Sequence, residues 1–90
     1  MSPSRANTTV QTELSEWLCV LLAAELRVPQ AGIDPDEPMV TYGLDSLTAA
    51  AILVAVERRV GFKVDPNALW DYPTVASFAG FLADQIPAGA

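Results

Sequence analysis

The chain has no histidine and a single cysteine among its 90 residues. The absence of histidine excludes the Ser-His-Asp and Cys-His nucleophile systems, and it excludes every metal site built on imidazole. One cysteine cannot form a disulfide within the chain. The length is that of one domain. We therefore do not expect an independent enzyme.

Positive charge is also scarce, because five basic residues stand against eleven acidic ones for a formal net charge of −6. Phosphate backbones and anionic membrane surfaces repel such a chain, so we expect neither nucleic acid nor membrane as a partner. The longest apolar stretch, residues 47–56, is too short to span a bilayer. Residues 1–5 lack the apolar run of a secretory signal. A cytoplasmic location is the expectation.

Hydrophobic residues make up 51% of the chain and recur at helical spacing. This periodicity predicts an all-α, four-helix bundle with three long helices, a short third helix and a long loop between the first two. The predicted helices cover about residues 9–28, 46–60 (or from 45), 66–70 (or to 71) and 75–85. The folded domain would be 9–86, with flexible tails at 1–8 and 87–90.

Several residues mark where these helices begin and end. Pro29 predicts the end of the first helix, because a residue that precedes proline avoids the helical region. Asp45 is a suitable N-cap and Gly61 a suitable C-terminal stop for the second helix. The connection 29–45 should be pinned to the core by its apolar residues Ile33, Met39, Tyr42 and Leu44. Its acidic residues should face water; these are Asp34, Asp36 and Glu37.

Ser46 is the residue whose position suggests chemistry. It opens the second helix, where a hydroxyl is accessible to another protein and where N–H groups and the helix dipole favour a phosphate. Gly43 allows the chain to turn sharply just before it. Serine and aspartate are common at ordinary helix starts as well, so local geometry alone leaves a structural role open.

Residues 43–47, Gly-Leu-Asp-Ser-Leu, resemble the phosphopantetheine attachment motif of carrier proteins. In that motif a glycine, two residues and then Ser-Leu mark the modified serine. Three further features agree in order: a Pro- and acid-containing loop with Ile33-Asp34, a following helix that ends at Gly61, and an aromatic-Asp-aromatic-Pro-Thr segment within 69–75. The resemblance covers about residues 10–86.

The resemblance implies a bundle of the acyl-carrier type and a covalent 4'-phosphopantetheine on Ser46. A magnesium-dependent phosphopantetheinyl transferase would attach the group from coenzyme A, and its thiol would carry acyl groups as thioesters. Leu44, Asp45 and Leu47 would frame recognition by the transferase and by synthase partners such as acyltransferase and ketosynthase domains. The carrier itself supplies no catalytic residue and binds no metal, and the isolated domain is expected to be monomeric.

The type of carrier is indicated by the residues around the serine. Leu44-Asp45 looks like the acyl carriers of fatty-acid and polyketide synthases, whereas peptide-synthetase carriers commonly have a second glycine there. No acid lies between Asp45 and Glu57, unlike in free-standing fatty-acid carriers. The chain thus most resembles a carrier domain of a multidomain polyketide synthase, in polyketide or antibiotic biosynthesis. A peptidyl or aryl carrier and an unmodified helical interaction module remain the alternatives.

We expect partners to dock mainly on apolar groups near Ser46, including Leu44 and Leu47, with the loop acids in support. Those acids otherwise form a solvated face, because the spacing of a calcium loop is absent. Cys19 should be a small buried hydrophobe. The larger aromatic residues should serve core or half-buried packing; these are Trp17, Trp70, Phe78 and Phe81. For Trp70 and Tyr72, near the short third helix, contact with partners or cargo is the alternative.

Overall fold

The computed structural model describes residues 4–86, with side chains from residue 9 onward. Over this range it contains four helices, which are α1 (Ser4–Leu26), α2 (Ser46–Val60), α3 (Ala68–Asp71) and α4 (Val75–Gln85). Two 3-10 turns, Gln30–Gly32 and Met39–Tyr42, lie in the connection between α1 and α2. An isolated antiparallel bridge joins Pro38 to Thr74, and the described residues form no β-strand. The predicted all-α architecture is confirmed.

The core is formed where the three long helices meet. α1, α2 and α4 each contribute fully buried side chains, and each such apolar side chain stabilises the fold by about 1.5–3 kcal/mol relative to exposure. The largest of them are Leu18, Leu22, Ile52, Val56, Val75, Phe78 and Leu82. No helix within residues 4–86 is both long and apolar enough to cross a membrane.

The predicted start of α1 is wrong, and the helix ends two residues before the predicted end. The helix begins at Ser4, five residues before the predicted start, because a helical backbone does not require the apolar stripe from which the start was predicted. It ends at Leu26, because Arg27 adopts a left-handed conformation (φ 58°) and the Val28 N–H closes the helix end on the Ala23 carbonyl at 3.1 Å. Residues 1–3 and 87–90 of the predicted tails lie outside the described residues.

The other helices begin close to where their caps predict. The predicted ends of α2 are confirmed: Asp45 caps its start, and Gly61 (φ 85°) closes its end with an N–H bond to the Glu57 carbonyl at 2.8 Å. The predicted start of α3, at Pro66, is two residues too early, because the helix begins at Ala68. The Asp65 carboxylate accepts the Asn67 N–H at 2.9 Å and so holds residues 65–67 in a turn before the helix. Thr74 caps α4 as predicted, in a capping box with Ser77.

The long connection between α1 and α2 is pinned, as predicted. Ile33 and Met39 are buried in the core, and Tyr42 packs against it. Two backbone bonds tie the loop to the α3–α4 junction: the Met39 N–H donates to the Pro73 carbonyl at 2.8 Å, and the Ala76 N–H donates to the Pro35 carbonyl at 2.9 Å. The segment that leads into α2 is therefore held on both sides.

Candidate functional site

Ser46 is the first residue of α2, and its side chain is exposed. The turn that leads to it depends on Gly43, which adopts a left-handed conformation (φ 99°) and donates its N–H to the Val40 carbonyl at 3.0 Å. A Cβ built on Gly43 would meet no atom within 4 Å. Glycine is therefore favoured here by the backbone conformation rather than by lack of space.

The residue before the serine fixes the start of the helix. The Asp45 carboxylate accepts the backbone N–H of Thr48 at 2.9 Å. This hydrogen bond to the charged form lowers the pKa of Asp45 below its ordinary value. A negative charge therefore stands next to Ser46 at neutral pH, and the other N–H groups at the start of a helix have no acceptor within the helix.

The two leucines that flank this pair have opposite environments. Leu44 belongs to the core, with 7% of its surface exposed, whereas Leu47 is 83% exposed. The prediction that Leu44 offers partners an apolar surface is therefore wrong for its side chain, which is buried in the core. Leu44 anchors the turn to the core, and Leu47 presents an apolar group one residue beyond the serine.

A shallow groove of about 360 Å³ runs from Ser46 between α2 and the α3 region. Its lining is mostly apolar and consists of Ser46, Ala49, Ala50, Leu53, Glu57, Val64, Pro66 and Trp70. The Glu57 carboxylate accepts the Val64 N–H at 2.8 Å and so braces the segment after α2. An exposed hydroxyl at a helix start and an open, mostly apolar groove beside it fit a covalently attached, phosphate-linked arm.

The side chains predicted to serve packing mostly do so. Phe78 is fully buried, and Phe81 stacks on Tyr72 with ring centroids 4.7 Å apart. Trp17 is half-buried beneath the Arg59 guanidinium, 5.6 Å from the ring centroid. Trp70 differs from the prediction, because 45% of it is exposed at the rim of the groove.

The other candidate groups do not form a reactive site. Cys19 is buried as predicted, and burial raises the pKa of its thiol. Asp34 and Asp36 face water, whereas Glu37 is half-buried and accepts the Thr41 hydroxyl at 3.2 Å. The described residues contain no His, Cys, Asp and Glu cluster that could hold a metal ion.

One hydrogen bond near the site could not be predicted from the sequence. The Tyr42 hydroxyl accepts the Asp34 N–H at 2.8 Å and closes the loop on itself just before Gly43. The two residues are eight positions apart and match no turn pattern, so only the folded loop reveals the bond.

An exposed serine at the capped start of a helix, in a small four-helix bundle, is the arrangement of a carrier domain. The family model described as "Phosphopantetheine attachment site" matches residues 16–82. The chain therefore belongs to this family of carrier domains, which bind 4'-phosphopantetheine covalently.

The curated relatives are much longer proteins. The chain is 42% identical over 81 residues to one subunit of the phenolphthiocerol/phthiocerol polyketide synthase of Mycobacterium tuberculosis, a match that covers 90% of this chain and 4% of that protein. It is 33% identical over 73 residues to the polyketide synthase PksL of Bacillus subtilis, with 81% of this chain and 2% of that protein covered.

Solved structures agree on the fold. A free-standing peptidyl carrier protein from Acinetobacter baumannii superposes with a TM-score of 0.82 at 34% identity, over 86% of this chain and 96% of that one. BlmI, a type-II acyl carrier protein from Streptomyces verticillus, superposes with a TM-score of 0.83 at 22% identity, over 92% and 98% of the two chains. The second match supports the four-helix fold alone.

Proposed function

We propose that Ser46 is the residue to which 4'-phosphopantetheine is attached, and that the chain serves as an acyl carrier in a polyketide synthase. The observation that carries the proposal is the exposed Ser46 hydroxyl at the first position of α2. When attached, the group supplies a thiol that holds acyl chains as thioesters. The chain's own contribution is to present the serine, through the Gly43 turn, the buried Leu44 anchor and the Asp45 cap.

Recognition by other proteins falls to the residues beside the serine. Asp45 offers a carboxylate, and Leu47 offers an exposed apolar side chain. A phosphopantetheinyl transferase, which supplies its own catalytic groups, would contact both. The carrier then needs no base or nucleophilic cysteine, consistent with the absence of histidine and the burial of Cys19. We accordingly propose a non-catalytic role.

The polyketide assignment is supported by the two polyketide synthase relatives. Acyltransferase and ketosynthase domains are the partners that follow from it. A peptidyl carrier is the second candidate, and the likeness to the Acinetobacter peptidyl carrier protein favours it. Loading of the modified protein by an acyltransferase supports the first, and loading by an adenylation domain supports the second.

Intact mass spectrometry tests the attachment. Wild-type protein, Ser46→Ala and the control Ser15→Ala, which changes a half-buried serine of α1, are each incubated with coenzyme A, magnesium and a broad-specificity transferase. Wild type and Ser15→Ala should each gain one phosphopantetheinyl group, and Ser46→Ala should gain none. An unchanged wild-type mass would instead support an unmodified interaction module, and a gain in Ser46→Ala would place the site elsewhere.

A further inference from the structure

One side of α2 carries a continuous exposed line from the serine to the far end of the helix. Leu47, Ala51, Val54 and Arg58 are spaced by four, three and four residues, so they lie above one another on a single face. All four are exposed, Leu47 by 83% and Val54 by 51%. At 1.5 Å per residue the line is about 16 Å long.

Positive charge is concentrated where this line ends. Three of the five basic residues of the chain are Arg58, Arg59 and Lys63. All three are exposed; the Arg59 guanidinium lies over the Trp17 ring, whereas Arg58 and Lys63 line a depression at this end.

Apolar surface accompanies these cations. A depression of about 540 Å³ is lined by Val54, Glu57, Arg58, Gly61, Phe62 and Lys63. The Glu57 carboxylate is engaged by the Val64 N–H, so it caps the backbone at the edge of the depression. The two cations therefore flank two apolar side chains, Val54 and Phe62. We call these four residues the basic end of α2.

Resting on the proposed function, we infer that synthase domains acting at Ser46 also bind the basic end of α2, through a protein surface that places carboxylates beside an apolar side chain. We choose a partner surface with carboxylates because its charge is complementary to that of Arg58 and Lys63. In a chain with a net charge of −6, two cations outnumber the one carboxylate, Glu57, along this depression, and the overall charge disfavours a polyphosphate or an anionic membrane in place of a protein.

The position of this second contact gives it a function. Its Arg58 lies about 18 Å along the helix from Ser46, so a partner that touches both Leu47 and the basic end can approach the serine in one orientation only. Charge pairs at the rim of an interface speed association and weaken as salt is added. The basic end should therefore act on the binding of the partner rather than on the chemistry at the thiol.

The experiment uses wild-type protein already modified at Ser46, and as probe a purified polyketide acyltransferase domain that loads it. The test variant is Arg58→Glu/Lys63→Glu. Arg58→Gln/Lys63→Gln tests neutralisation without reversal, and the control Arg27→Glu reverses an exposed arginine at the end of α1, outside the depression. Reversal should raise the KM for the carrier about fivefold to tenfold, neutralisation about twofold to threefold, and Arg27→Glu less than twofold, all at unchanged kcat.

Raising the salt concentration from about 50 mM to about 500 mM should raise the KM of the acyltransferase for wild type but not for the reversed variant. Equal KM values for wild type and the reversed variant would overturn the inference, as would an equal effect of Arg27→Glu. Wild-type dimers that dissociate in the reversed variant would also overturn it, since the surface would then join two copies of the chain. Failure of wild type to accept the phosphopantetheinyl group is recorded separately by mass and overturns the proposed function itself.

Discussion

The turn before Ser46 can be tested with two matched glycine substitutions. Gly43 and Gly61 have nearly the same conformation, with φ of 99° and 85° and ψ of 16° and 13°, and a Cβ at either position meets no atom within 4 Å. Alanine at each should therefore cost about 1–2 kcal/mol of left-handed strain. For a domain of this size each 1 kcal/mol lowers Tm by about 5 °C, so both variants should melt about 5–10 °C below wild type.

Only Gly43→Ala should affect the modification of Ser46. A strain of about 1.4 kcal/mol shifts the equilibrium between the native turn and other turns about tenfold away from the native one, so the competent fraction, and with it the initial rate of phosphopantetheinylation, should fall by up to about tenfold. Gly61→Ala relieves its strain at the opposite end of α2 and should react within about twofold of wild type. The rates are read from intact-mass time courses well below both melting temperatures. Equal rates for the two variants would refute the argument that Gly43 positions the serine.

Two further predictions concern the residues around the serine. Leu44→Ala should lower the free energy of unfolding by about 2–5 kcal/mol, whereas Leu47→Ala should change it by less than about 0.5 kcal/mol and yet slow the modification of Ser46. Urea unfolding measures the stabilities, and mass time courses measure the modification rates. Equal losses of stability in the two variants would contradict the assignment of Leu44 to the core and Leu47 to the surface. Because the Thr48 hydrogen bond lowers the pKa of Asp45 in the folded state, its contribution to stability is present above the unfolded value of about 3.9 and is lost as pH falls through the lower folded value. Asp45→Asn, which retains a capping side chain, should therefore show a smaller fall in Tm than wild type over this acid range. The same dependence of Tm on pH in both proteins would contradict the linkage.

The helix ends that could be predicted are those set by local chemistry. Asp45, Gly61 and Thr74 each satisfy helix-end groups within three or four residues, so the sequence alone indicates the boundary. The end of α1 could not be predicted in this way. Arg27 adopts a conformation that residues other than glycine rarely take, and the sequence offered Pro29 as a more obvious stop.

The site could be predicted in part. The motif at residues 43–47 and the helix-start position of Ser46 are local, and the structure places Ser46 where the pattern indicated. The burial of Leu44 could not be inferred, because an apolar side chain beside the serine suits the core and a docking surface equally well. The basic end of α2 depends on which arginine packs against Trp17, a contact between residues 42 positions apart.

The central claim is that Ser46 carries the arm, and peptide mapping by tandem mass spectrometry tests it most directly. Wild-type protein is treated with coenzyme A and the transferase, digested and fragmented to locate the added phosphopantetheinyl group. The added group should be found on the Ser46 side chain of the peptide that contains residues 43–47. A group located on any other residue, or a fully unmodified peptide from active reaction mixtures, would contradict it.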